Sequence, residues 1–326
     1  MTAPLAKGSL SLRLYPHLDR PAPAVVEELR AQAALAADHG FDGVMTSEHH
    51  AGFYGYLPNP LQIAGWLLDA MTSGWAAACP LLLPLRPATI VAEEAAWLAA
   101  RFPGRVGLGL AAGGLPADFE LVDMPMDELA ARFTAGFERV AALLRGDDGG
   151  DGMIGDPAIA ACATQPVPLS SAVNSLTSVR RAARLGAGMI IDSLTAPERC
   201  RQLVDTYREA GGTEAVTLIR RVWLGEPPRA DLDAQMDVYK SYAGKSAMAN
   251  WGTDELVSVT DAADEADKLL AALEATGADA LNIRVTVPGV GPDQVRDQII
   301  ALGDEVLPLV RKGLPGASVS PARSRS

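Results

Sequence analysis

Short apolar runs alternate with longer stretches of helical spacing along almost the whole chain. Residues 10–15, LSLRLY, are the first such run; in residues 25–39, Val25, Leu29, Ala33 and Ala36 recur on one helical face, and Gly40 stands just past the end. The unit repeats. Strand patterns cover 43–47, 76–83, 105–110, 167–173, 189–191, 216–224 and 281–287, and helical patterns cover 61–70, 89–100, 127–144, 178–185, 197–210, 262–276 and 292–310. The helix at 127–144 places Leu129, Phe133, Phe137, Val140 and Leu144 on one face. Alternation of this kind predicts an α/β fold with a parallel sheet, and eight repeats predict a closed (β/α)8 TIM barrel whose functional groups lie at the C-terminal ends of the strands. A further helical stretch at 230–242 reads as an insertion after strand seven. The run GDDGGDGMIG at 146–155 has loop composition and reads as a surface loop inside the domain. Residues 1–312 therefore form one predicted domain, with 313–326 a small, polar, disordered tail.

Composition narrows the partners. Of the 326 residues 48% are hydrophobic, and the formal net charge is −12, a field that repels phosphate backbones and anionic headgroups; nucleic acid and membrane are excluded as first expectations. Cys79, Cys162 and Cys200 lie far apart without a CxxC pair, which argues against a disulfide framework or a cysteine zinc cluster and for reduced thiols in the cytoplasm. No signal-peptide pattern opens the chain, and no uninterrupted apolar run reaches about 18 residues.

Four places can carry chemistry. Ser47, Glu48, His49 and His50 (SEHH) fall where strand two ends; a histidine there serves as general acid or base, and an adjacent carboxylate fixes its tautomer. A capped strand end explains the same residues. Metal is not expected, because adjacent histidines point to opposite faces and only His17 lies beyond strand one. Asn174, Ser175, Thr177 and Ser178 (NSLTS without its leucine) sit before and at a helix start, which suits either a phosphate or ordinary N-capping. Cys79-Pro80 interrupts strand three and predicts a bulge. Glycines 107, 109, 113 and 114 at the end of strand four allow close approach of a flat ligand or simply tight barrel packing. The acidic run 261–267 reads as a solvated helix face. Neither GxGxxG after strand one nor GxxxxGK[ST] occurs.

An ordered set of segments resembles the bacterial luciferase-like flavin-dependent monooxygenases: EHH after strand two, NPL at 59–61, LPLRPAT at 83–89, AEEAAWLAARFPGRVGLGL at 92–110, VRRAARLGAGMI at 179–190, and TGADALNIRVTVPG with GDEVLPLVR toward the end. The resemblance covers roughly residues 9–312. It implies a (β/α)8 barrel that binds reduced FMN delivered by a separate flavin reductase and activates O2 as a flavin C4a-peroxide to oxidise a small-molecule substrate. It implies that His49 is the catalytic histidine beside the flavin ring and Glu48 the acidic residue before it. Cys79 and Pro80 match the family's cis peptide against the isoalloxazine. Ala111 and Ala112 follow strand four on the cofactor side, and Asn174, Ser175, Thr177 and Ser178 match the phosphate-binding turn. Where luciferase has an arginine after strand four, Ala112 stands here, a loss of one charge-assisted contact of about 1.5–3 kcal/mol; Arg284 on the last strand is the cation available to replace it. The same fold also serves coenzyme F420, a deazaflavin used for hydride transfer, and non-catalytic flavin binding, so both remain alternatives. The resemblance further implies a homodimer, an apolar pocket wall from Phe53, Tyr54 and Tyr56, and a lid between about 225 and 253 lined by Asn250 and Trp251.

Overall fold

The computed structural model describes residues 2–50, 53, 55–242, 248, 250–252 and 256–314. Strands β1 (Leu10–Arg13), β2 (Gly43–Thr46), β3 (Trp75–Leu82), β4 (Val106–Ala111), β5 (Leu169–Ala172), β6 (Gly188–Ile191), β7 (Val216–Leu224) and β9 (Ala280–Arg284) pair in parallel around a ring. β6 pairs with β7, β7 with β9 and β9 with β1, so the sheet closes on itself. This is the eight-stranded barrel that the alternation predicts. A ninth strand, β8 (Leu256–Val259), pairs only with the far end of β7 and lies outside the ring. The sequence reading missed it, because LVSV is four residues long and half-buried rather than an apolar run.

Helices α1 (Ala22–Asp38), α2 (Pro60–Ala70), α3 (Ala88–Arg101), α5 (Leu129–Leu143), α7 (Leu176–Arg184), α8 (Pro197–Glu209), α10 (Ala262–Thr276) and α11 (Pro292–Ala301) follow the strands; α12 (Leu307–Gly313) ends the described chain. The tail predicted at 313–326 lies, from 315 onward, outside the described residues. Two short helices, α4 (Pro116–Glu120) and α6 (Pro157–Ala161), sit in the β4–β5 connection, and α9 (Arg229–Tyr242) is the insertion expected after β7. Strands buried on both faces have no polar side to display, which is why they read as apolar runs. Their outer faces join the helices in the main core, with Leu12, Val44, Leu108 and Leu218 at most 0% exposed. Their inner faces form a second cluster of Met45, Trp75, Ala77, Cys79, Ile190 and Ile219, with Leu5 of the N-terminal segment. Gly43 makes room for the Trp75 indole, since a Cβ there would stand 2.1 Å from the ring.

One expectation fails in an instructive way. Asp261 caps α10 by accepting from the Ala263 and Asp264 N–H groups, as a solvated acid does, but Glu265 is fully buried. Its Oε2 accepts from the Val259 N–H at 2.9 Å, so it ties α10 to β8. Burial pushes its carboxyl up to about 7, against the pull of that N–H and of Lys268. A carboxyl whose folded value exceeds the unfolded value of about 4.3 supports the fold fully at acid pH and loses that support as pH rises through about 7. Glu265→Gln is therefore expected to flatten the fall in urea midpoint between about pH 5 and 8; parallel pH curves for variant and wild type would refute the assignment.

Candidate active site

The C-terminal end of the ring gathers β2, β3 and β4. The chain leaves β2 through Ser47, Glu48, His49 and His50, and the Glu48 N–H donates to the Pro80 carbonyl at 3.1 Å. The Cys79-Pro80 bond is cis, and the β3–β4 register shifts between Ala78 and Leu81, which is the bulge. Arg13, 2% exposed inside the barrel, grips this bulge from below: it donates to the Cys79 carbonyl at 2.9 Å, to Asn282 Oδ1 at 2.6 Å and to Ser47 Oγ. Burial pushes the Cys79 thiol up to about 12, against the Arg13 charge, so it packs as a protonated side chain rather than reacting.

Glu48 is buried and fully engaged. Its Oε2 accepts from the Leu82 N–H at 2.6 Å, and its Oε1 accepts from His50 Nε2 at 2.9 Å and from Arg86. Burial raises its pKa, opposed by Arg86, the Leu82 N–H and His50. With its oxygens so occupied, Glu48 locks the end of β2 to the end of β3 and sets where His49 stands.

His49 Nδ1 lies 2.7 Å from Asp118 Oδ2, and Asp118 Oδ1 accepts from the His50 N–H at 2.7 Å. Asp118, on α4, has no exposed surface. Burial drives its pKa up, yet the hydrogen bonds from His49 and the His50 N–H and the two imidazoles more than offset this, and the carboxyl sits below its ordinary value. An ionised Asp118 takes the Nδ1 proton as donor, which leaves Nε2 as the ring's second nitrogen for a ligand. Phe53 and Tyr56 flank the imidazole at ring-centre distances of 4.8 and 4.6 Å. Tyr54 of the same expected wall, with 51 and 52, lies outside the described residues.

Ala111 ends β4 opposite Leu82, and Ala112 follows it, half-buried. One strand further round, Asn174, Ser175 and Thr177 are exposed at the end of β5 and Ser178 is buried. Ser175 and Ser178 form a capping box: Ser175 Oγ accepts from the Ser178 N–H and Ser178 Oγ from the Ser175 N–H, both at 3.2 Å. A cavity of about 340 Å³ opens beside this turn, lined by Asn174, Asp192, Thr195, Arg199, Asn250 and Trp251 among others. Arg199, at the start of α8, donates to the Asn174 carbonyl at 3.0 Å, while its buried Nε has no hydrogen-bond partner. Arg284 is not the replacement for the missing arginine. It lies three strands round the ring from β5 and donates to Tyr239 Oη at 2.9 Å and to the Thr286 carbonyl at 3.3 Å.

The structure thus brings Glu48, His49, Cys79 and Pro80 together and sets the 174–178 turn at the neighbouring strand end. Sequence reading missed Asp118, Arg86, Arg13 and Arg199. Arg13 was marked by being the lone charge in LSLRLY, and Arg86 and Asp118 by lying just past the C-terminal ends of β3 and β4.

Comparison with known proteins agrees on architecture. A monooxygenase of Streptomyces bottropensis, RslO1, superposes with a TM-score of 0.74 at 19% identity, covering 92% of this chain and 99% of that one. The oxygenating constituent of 3,6-diketocamphane monooxygenase from Pseudomonas putida, solved in complex with FMN, gives 0.73 at 15% identity over 93% and 98%. An F420-dependent secondary alcohol dehydrogenase, solved with an F420-acetone adduct, gives 0.69 at 15% over 94% and 99%. In sequence, an uncharacterised protein of Mycobacterium tuberculosis (strain H37Rv) is 34% identical over 113 residues, 33% of this chain and 39% of the relative's length. Among the described residues no helix is long and apolar enough to cross a membrane. The family model for luciferase-like monooxygenases matches residues 10–306, nearly the whole barrel, and the chain belongs to that family.

Proposed function

We propose that the protein binds reduced FMN across the C-terminal face of the barrel and uses it with O2 to oxygenate a small organic substrate. The observation that carries this reading is the His49–Asp118 pair standing over the Cys79-Pro80 bulge. The residues present fit the cofactor: the first turn of α7 offers backbone N–H groups and the Thr177 hydroxyl, and Arg199 brings a cation with an unsatisfied buried Nε to the adjoining cavity. When bound, the reduced flavin supplies the two electrons with which one oxygen atom enters the substrate and the other leaves as water.

The chain's own residues do the rest. Asp118 holds the imidazole in one tautomer, and His49 Nε2 holds or delivers a proton at the reacting face. Glu48 and Arg13 fix the bulge against which the ring rests, while Phe53 and Tyr56 exclude water from the histidine. With neither nucleotide-fold fingerprint in the sequence, the reading assigns flavin reduction to a separate reductase. A cytoplasmic homodimer completes it, on the resemblance alone.

Anaerobic titration tests this reading. FMNH2 is expected to bind in preference to reduced deazaflavin, and admission of air to reoxidise the bound flavin on a time course different from that of free FMNH2. Preference for deazaflavin without reaction with oxygen makes the protein an F420-type hydride-transfer enzyme instead, and binding of neither overturns the cofactor assignment. The phosphate contact has its own test. Arg199→Gln should weaken reduced FMN by about tenfold or more, the loss of one charge-assisted hydrogen bond, and leave reduced riboflavin unchanged; equal weakening of both would place Arg199 outside the phosphate site.

A further inference from the structure

Three neighbouring strands carry an arginine in one register row. Arg13 of β1 pairs with Arg284 of β9, and Arg284 with Arg221 of β7. Residues paired in this way point to the same side of a sheet, here the barrel interior occupied by the row-mates Met45 and Ile219. All three are buried, at 2%, 5% and 2% exposure. Guanidiniums stay charged, and burying one costs several kcal/mol unless an anion or a full set of acceptors answers it. Arg13 has neutral partners only, namely Asn282, Ser47, the Cys79 carbonyl and the Met45 sulfur. Among the described residues no carboxylate forms an ion pair with Arg284, whose partners are the Thr286 carbonyl, the Tyr15 ring at 4.2 Å and the Tyr239 hydroxyl at 2.9 Å.

We propose that Tyr239 is the counter-anion of this arginine row, an ionised phenol on the insertion helix that gives the barrel mouth a second proton-accepting group beside His49. The phenol is 8% exposed. Arg284 and Arg221 lie 5.9 and 5.6 Å from its ring centre, and Tyr56 is hydrogen-bonded to it. Every group that faces it from the packed elements has one effect: Arg284 on β9 and Arg221 on β7 favour the anion, and Tyr56 after β2 stabilises it by hydrogen bonding. Tyr15 after β1 stands against Arg284 and against Tyr56, with its ring 5.3 Å from that of Tyr56. On α9 itself, Gln235 is neutral, Asp231 lies against Gly289, and Asp237 is paired with Lys240 at the surface. Although burial disfavours the charge, the two arginines and the hydrogen bonds outweigh it, and the phenol falls below its ordinary value. Through Tyr56, whose ring touches His49, the anion is one side chain from the imidazole. A ligand hydroxyl that reaches Tyr239 breaks its O–H bond, an O–H bond forms on the phenol, and the charge left on the ligand oxygen meets Arg284 and Arg221.

The experiment is an ultraviolet titration of tyrosinate in the flavin-free protein, read for wild type, Tyr239→Phe and Arg284→Gln. Wild type should show one phenol ionising before the others, well below about 10. That step should be absent in Tyr239→Phe, which loses only a hydroxyl, and shifted upward in Arg284→Gln. Superimposable wild-type and Tyr239→Phe curves overturn the proposal, as does a Tyr239 step at or above those of the remaining tyrosines. Because no flavin is present, either result is independent of the cofactor assignment.

Discussion

Asp118→Asn is expected to lower substrate oxidation by about two to three orders of magnitude while changing flavin affinity by no more than a few-fold. The reason is charge and tautomer together. Asp118 is buried, held ionised below its ordinary value, and 2.7 Å from His49 Nδ1. An amide keeps the volume and still accepts the His50 N–H, but it carries no charge to stabilise an imidazolium, and turned the other way it donates to Nδ1 and forces the wrong tautomer. His49→Ala should cost about the same, and the double variant little more, because two residues acting as one unit are not additive. Stopped-flow comparison of flavin binding and product formation checks this. Equal losses in both would reduce the pair to a structural clamp, and a full additive loss in the double variant would separate the two residues.

The closed barrel and the approximate place of the site were legible because they rest on periodicity. Strands buried on both faces announce themselves as apolar runs, and SEHH and Cys79-Pro80 could be placed once their strands were counted. What escaped is set by contacts between distant residues. Asp118 is 69 positions from His49 in the chain, and nothing in PADF distinguishes a catalytic partner from a helix-starting acid. Glu48 looked like chemistry and stands as scaffolding, because its three donors come from Leu82, Arg86 and His50. Glu265 shows the same limit in reverse, an acid in a charged run that the short outer strand β8 covers. The capping box at Ser175 and Ser178 keeps both original readings of that turn alive in physical terms, since the hydroxyls serve the helix while Arg199 and the first-turn N–H groups remain for an anion.

The glycines of strand four had two explanations, and Gly109 decides for packing. A Cβ at this position would stand 2.2 Å from Cys79 Sγ, 3.0 Å from its Cβ and 3.1 Å from its Cα. Rotation of the sulfur relieves only the first contact, so Gly109→Ala must also push the β3 backbone, where Arg13 holds the Cys79 carbonyl at 2.9 Å. Overpacking of this kind costs about 1–3 kcal/mol. Cys79→Ala alone removes a buried sulfur and leaves a small void, a loss of about 1 kcal/mol by the usual cavity cost. Combined, the two substitutions exchange one side chain's volume across the β3–β4 interface, and the double variant should be more stable than Gly109→Ala. Urea midpoints of the four proteins give the coupling directly. A double variant that loses the sum of the single effects would mean that strand four meets something other than Cys79, and the space under the bulge would then be open to a ligand after all.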